Sequence, residues 1–225
     1  MLLSIGRRAV AEALGTSLLL TAIVGSGIMA DHLAAGDAAL ALLANTMATA
    51  TTLAALILAV GPISGAHFNP WVTMLMRLRG KLPAADVWPY VTAQFVGAFV
   101  GVAVAHLMFG EPVFAWSDHT RSGAAQTVAE AVATFGLLLI IGLSAAARSS
   151  HTAIAVGAFI AGAYWFTSST SFANPAVTLA RAATHTFAGI RPADVPSFLL
   201  GQSVGAGAAV LVLHWLLTSD PETAR

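Results

Sequence analysis

The sequence has no cysteine, which excludes a disulfide framework, a thiolate nucleophile and a thiolate metal site. Charge is almost as scarce: Asp, Glu, Lys and Arg make up 9% of the 225 residues, against about a quarter in an ordinary soluble domain. So few charges cannot cover a soluble surface. The 10 basic and 10 acidic residues cancel, which excludes a strongly basic nucleic-acid binder. His67, His106, His151 and His214 are not spaced as metal ligands, and no nucleophile and base pair is recognisable. An enzyme, a resident metal and a cofactor therefore find no support. What is abundant is apolar, at 57% of the chain, so the sequence reads as an all-α membrane protein whose partner is lipid.

Apolar stretches recur at Ala9 to Ala30, Ala38 to Val60, Val87 to Phe109, Ala124 to Ala147, Thr152 to Phe166 and Pro196 to Leu217. These are six candidate crossings; the fifth is short for the roughly 30 Å of hydrocarbon unless it extends towards Ser169. The first is longer than a signal peptide's apolar core and carries Glu12, so it reads as a retained helix. With a cytoplasmic N-terminus, Arg7, Arg8, Arg77, Arg79, Lys81, Arg148 and Arg225 fall inside, and Arg121, Arg181 and Arg191 outside. The positive-inside rule favours that orientation, with both termini cytoplasmic.

The chain also repeats itself. Ala11-Glu12-Ala13-Leu14-Gly15-Thr16, then Asn69-Pro70, then Gln94-Phe95-Val96-Gly97-Ala98 is matched by Ala129-Glu130-Ala131-Val132-Ala133-Thr134, then Asn174-Pro175, then Gln202-Ser203-Val204-Gly205-Ala206. The order Glu, Asn-Pro, Gln occurs in both halves, about 1–110 and 124–225 of a single domain. Three spans per half is an odd number, so the copies enter the membrane from opposite sides, as in inverted-repeat channels and transporters. Glycines at 15, 25, 27, 97, 101, 201, 205 and 207 suit close helix packing.

The two Asn-Pro segments carry the chemistry. Asn as N-cap with Pro at the first helical position is a helix start, so short half-helices are predicted from Asn69 and Asn174. Irregular backbone before them is tolerated in a membrane only where it lines a cavity. Two inverted half-helices would meet N-terminus to N-terminus at mid-depth. Their dipoles would disfavour cations there, while the Asn69 and Asn174 amides offer donors. Extended backbone over Gly65, Ala66, His67 and Phe68, and over Thr170 to Ala173, would offer carbonyl acceptors along the path. Such a lane suits neutral, hydroxyl-bearing solutes. Glu12 and Glu130 are assigned to accept backbone N–H groups of the irregular loops, because an unsatisfied charge in the membrane is costly. A secondary transporter is the alternative from another class, with Glu12 and Glu130 the acidic candidates for coupling.

These motifs resemble the major intrinsic protein family, the aquaporins and aquaglyceroporins. The resemblance spans nearly the whole chain and implies six transmembrane helices plus two half-helices, a pore in each subunit, a homotetramer and a place in the cell membrane. It also implies a four-residue constriction. Counting from the two asparagines, this falls on Thr49, Gly162, Ser171 and Val177, with Phe172 taking the place of Ser171 if the loop is shifted by one. Most members carry arginine where Val177 stands, and strict water channels carry bulkier residues at the Thr49 and Gly162 positions. The expected constriction is wide, uncharged and moderately apolar. Arg181, at the far end of the second half-helix, is not assigned to it. Trp71 stands where the first motif normally has alanine, which leaves local packing there open.

The second motif, Asn174-Pro175-Ala176-Val177-Thr178-Leu179-Ala180-Arg181, is similar to that of bacterial members encoded with arsenic-resistance genes. That resemblance implies passive conduction of arsenite, the uncharged trihydroxide of trivalent arsenic, alongside glycerol-like polyols. A water or glycerol facilitator is the nearest alternative.

Overall fold

The computed structural model describes residues 3–218; Arg225, counted among the inside charges, lies outside them. Eight α-helices follow in order: α1 (Ile5–Leu33), α2 (Ala38–Ser64), α3 (Pro70–Leu78), α4 (Val87–Phe109), α5 (Ala124–Ala146), α6 (Thr152–Phe166), α7 (Pro175–Arg181) and α8 (Val195–Leu217). No strand forms among the described residues. Five of these helices are long and apolar enough to cross a membrane, and α6 is a 15-residue apolar helix ending at Phe166. At 1.5 Å per residue α6 rises only about 22 Å.

Helix ends follow from the local residues. Asp37 caps α2 by accepting from the backbone N–H groups of Ala39 and Leu40. Instead of breaking at Gly61-Pro62, α2 runs on to Ser64 and stops at Gly65, whose φ of 92° is left-handed. A proline removes only its own backbone donor, so the last turn survives it; the N–H of Gly65 still reaches the carbonyl of Gly61 at 2.9 Å.

Packing repeats the sequence symmetry. α1 lies against α4 and α5 lies against α8. A Cβ on Gly97 would run into the carbonyl of Ala13, and one on Gly205 into that of Ala131, so each pair approaches as closely as backbone allows. Gly207, by contrast, faces open space and makes no such contact.

The molecule is polar inside and apolar outside. Glu12, Gln94, Glu130 and Gln202 are all fully buried, while Leu14, Trp88, Leu107, Leu211 and Trp215 are exposed. That distribution fits lipid as the surrounding solvent. α3 and α7 are half-helices that enter the interior and meet end to end, completing an inverted repeat of the kind the sequence predicts.

Candidate functional site

Each half-helix begins at an asparagine that does two jobs. The Asn69 side-chain oxygen accepts from the N–H of Trp71 at 2.9 Å, and that of Asn174 accepts from Ala176 at 3.0 Å and Val177 at 3.3 Å. Their amide nitrogens cross over: Asn69 Nδ2 donates to the Ala173 carbonyl, and Asn174 Nδ2 to the Phe68 carbonyl, both at 2.8 Å. The two starts are thus locked to each other's loop. A side-chain amide carries two N–H groups, so each asparagine keeps one more for the cavity it lines.

The loops before them are not extended. Ala66 and Phe68 in the first, and Thr170, Ser171 and Ala173 in the second, have φ between 48° and 59°, in the left-handed region. Such residues cost of order 1–3 kcal/mol each. Buried carboxylates offset that cost. Glu12 accepts from the N–H groups of His67 (2.9 Å) and Phe68 (2.7 Å), from Ser64 Oγ (2.6 Å) and from Gln94 Nε2 (2.8 Å). Glu130 accepts from the N–H groups of Phe172 and Ala173, both at 2.8 Å, and from Gln202 Nε2 at 2.7 Å. Hydrogen bonds to a charged acceptor contribute about 1.5–3 kcal/mol each, of the same order as that strain, and Phe68 and Ala173 are the left-handed residues that donate to the carboxylates directly. Gln94 also donates to Thr73 Oγ1 and Gln202 to Thr178 Oγ1, tying each loop back to its own half-helix.

A narrow cavity with about 70 Å³ of room for solvent passes this junction. Its lining combines apolar side chains, among them Leu19, Ile23, Leu53 and Leu137, with the polar residues Asn69, Asn174 and His67 and with Ala66. At the end near Ala66 and His67 it adjoins a vestibule of about 430 Å³, whose walls include Arg8, Gly65, Lys81 and Tyr90.

The residues picked out from sequence are placed unevenly. Thr49, Ser171, Phe172 and Val177 line the narrow cavity together, so both Ser171 and its neighbour Phe172 face it. Gly162 does not; it sits on the exposed side of α6. Val156, Ile160 and Tyr164, spaced four apart on α6, face the cavity instead, and Tyr164 Oη lies 3.4 Å from Thr49 Oγ1. An aromatic ring therefore stands where counting put a hydrogen atom. The four-residue stripe was the signal in the sequence that would have found it. Of the carbonyl candidates, Ala66 and His67 border the narrow cavity, Gly65 the vestibule. The Ala173 carbonyl is taken by Asn69, and Thr170 lies beside Arg121, with its Oγ1 3.4 Å from Arg121 Nη1.

Two further residues, one not assigned to the constriction and one whose packing the sequence leaves open, find their places here. Arg181 is buried and lines the cavity, with its guanidinium carbon 3.4 Å from the centre of the Phe172 ring. The narrow cavity is therefore bordered by a charged side chain, where an uncharged constriction is expected from the sequence. Trp71 turns away from the pore and packs against the cluster of Val72, Leu75, Leu138 and Leu213, so its bulk does not separate the half-helices.

Comparison with known proteins agrees with this geometry. The chain is 51% identical to the aquaglyceroporin AqpS of Rhizobium meliloti (strain 1021), over 97% of each protein. It is 37% identical to the aquaporin Z of Brucella melitensis biotype 1 over 44% of this chain and 42% of that one. Its fold superposes on the X-ray structure of the aquaglyceroporin from Plasmodium falciparum with a TM-score of 0.68, covering 94% of this chain and 95% of that one at 22% identity. The family model for major intrinsic proteins matches residues 2–161, stopping short of Asn174, whose equivalence to Asn69 rests on the reciprocal bonds described above. The chain belongs to the major intrinsic protein family.

Proposed function

We propose that the protein is a passive, bidirectional channel for small uncharged hydroxylated solutes, with arsenite, as arsenic trihydroxide, and glycerol-like polyols as its cargo. The observation that carries this reading is the junction itself: donors from Asn69 and Asn174 among apolar side chains, in a narrow cavity without a free carboxylate. A trihydroxide entering there exchanges hydration for those donors and for polar atoms of Ala66 and His67, which border the cavity, while its remaining faces slide along Leu19, Ile23 and Leu137. Glu12 and Glu130 are spent on loop N–H groups, which speaks against coupling roles in an ion-driven carrier. The similarity to an aquaglyceroporin over nearly the full length supports a polyol-sized pore.

Within this reading Thr49, Tyr164, Ser171, Phe172 and Val177 set the constriction, and Val177 leaves apolar the position where the family usually places arginine. In this reading the protein works in the cell membrane as a homotetramer with both termini cytoplasmic; the basic residues Arg8 and Lys81 at the vestibule support taking that mouth as the inner one. The test is a solute panel in sealed proteoliposomes, comparing water, glycerol and arsenite in one preparation. Flux that rises linearly with the gradient and ignores pH and sodium is expected. Saturable or proton-dependent uptake would sink the channel reading, and water flux without arsenite or glycerol flux would replace the proposed cargo.

A further inference from the structure

The arginine missing at position 177 leaves a question that the interior geometry answers. Val177 and Arg181 are four residues apart on α7, so they share one helix face, and both border the narrow cavity. Long side chains on a helix lean back towards its N-terminus, which carries the Arg181 head group towards the level of Val177. It is held there by its Nε donating to the Ala188 carbonyl and by the ring of Phe172 beneath it.

Three features set this guanidinium apart from a structural ion pair. It is 2% exposed, yet no carboxylate lies within ion-pair distance of it among the described residues. Its Nη1 is buried without a hydrogen-bond partner. The Ser171 hydroxyl, which borders the same cavity, is buried without one too. A cation buried without a counter-ion and with a donor unspent is costly, and a purely structural role would pair it. A second cation, Arg121, lies with its guanidinium carbon 5.1 Å from the same Phe172 ring, anchored by its Nε to the Gly189 carbonyl at 2.8 Å. It comes from the loop between α4 and α5, so the positive charge at this end of the cavity is built from two separate parts of the chain.

We infer that Arg181 is the charge-selecting residue of the pore, supplying from one helical turn further along the guanidinium that position 177 lacks. Its field rejects cations, while a neutral solute passes the same point without that electrostatic cost. Moving the head group away from position 177 leaves that point apolar, so rejection of cations is kept without a second donor crowding the half-helix start. This assignment rests on the channel reading.

Urea and the guanidinium ion are nearly the same shape and differ in charge, and the ion stays charged at any working pH. Flux of both into proteoliposomes is measured for the wild type, Arg181→Met, Arg181→Lys and the double variant Val177→Arg with Arg181→Met. The wild type is expected to pass urea and exclude guanidinium. Arg181→Met should raise the guanidinium-to-urea ratio by about tenfold or more, since a unit charge a few ångströms from the path has been removed. Arg181→Lys and the double variant should both return the ratio towards the wild-type value, a rescue that a merely structural role would not produce for the double variant. An unchanged ratio in Arg181→Met overturns the assignment. Should that variant fail to insert, Arg181→Gln, which keeps a donor for the Ala188 carbonyl, decides in its place: a raised ratio supports the assignment and an unchanged one overturns it. A wild type that passes both solutes equally overturns the role of Arg181 alone, whereas one that passes neither overturns the channel reading and this role with it.

Discussion

The loop before Asn69 and the loop before Asn174 are held by the same device and lead to different places. In each, a buried glutamate accepts two consecutive backbone N–H groups and a glutamine amide, and that glutamine also reaches a threonine on its own half-helix. Beyond that shared frame the halves part. The first loop follows the 27-residue α2 and opens beside His67 and Tyr90, their rings 5.2 Å apart, into the vestibule. The second follows the 15-residue α6 and is roofed by other loops. The N–H of Ser117 bonds to the Ala182 carbonyl at 3.0 Å, that of Arg191 to the His119 carbonyl at 2.8 Å, and His106 joins Thr184 Oγ1 at 2.7 Å. The repeated polar network makes a pore; the unrepeated loops make one end narrow and cationic. Selectivity is a property of the asymmetry.

The harshest way to break the comparison is to remove the shared frame. Glu12→Leu and Glu130→Leu should each abolish arsenite and glycerol flux, because two left-handed loop segments lose their acceptors and orphaned N–H groups cost about 1–3 kcal/mol apiece. Thermal melting in detergent should show both variants destabilised to a similar degree. If one of them melts like the wild type, the two frames are not equivalent.

Next comes Val177→Arg in a chain that keeps Arg181. Two guanidinium groups on one face of α7 repel and fill the constriction, so arsenite and glycerol flux should fall by about tenfold or more. Unchanged arsenite uptake would remove Val177 from the constriction. The corresponding change in the first half, Val72→Arg, lies where the narrow cavity meets the vestibule and should cost less of the discrimination between solutes, as read from the arsenite-to-water flux ratio.

Smaller effects are expected at the crossing itself. Asn69→Ala and Asn174→Ala each lose an N-cap, about 1 kcal/mol, and one 2.8 Å bond to the opposite loop. Flux should drop severalfold in both, with the stronger loss at Asn174, whose oxygen caps two N–H groups. Equal and normal flux in both variants, with normal insertion, would argue against the junction as the pore centre. The smallest contrast separates two glycines of one helix. Gly205→Ala should destabilise by roughly 1–3 kcal/mol through overpacking on Ala131, while Gly207→Ala should leave melting and flux unchanged.

Much of this was legible in the chain. Glu12, Asn69 and Gln94, with their partners Glu130, Asn174 and Gln202, stand out because the same residues recur in the same order, and because Asn-Pro encodes a helix start locally. Gly162 misled for a physical reason. Its position was counted back from Asn174 across the loop after α6, where loop length is free to vary, whereas the four-residue stripe of Ile160 and Tyr164 belongs to the helix itself. The left-handed residues at Ala66, Phe68, Thr170, Ser171 and Ala173 carry no signature such as glycine; Phe68 and Ala173 are held by carboxylates more than forty positions away in the chain, and Ala66 and Ser171 by serine hydroxyls two residues before them.

By itself, then, the sequence determined the solvent, the inverted repeat, the half-helix starts and the pair of carboxylates, because composition, repetition and capping are properties of short stretches of chain. Only the tertiary structure decided what lines the narrow end. Tyr164, Phe172 and Arg181, which line it, and Arg121 beside the Phe172 ring come from a helix, two loops and a half-helix, and their meeting depends on how those parts fold over one another. The scarcity of charge placed the protein in lipid; where one of its few arginines is buried is what gives the pore a sign.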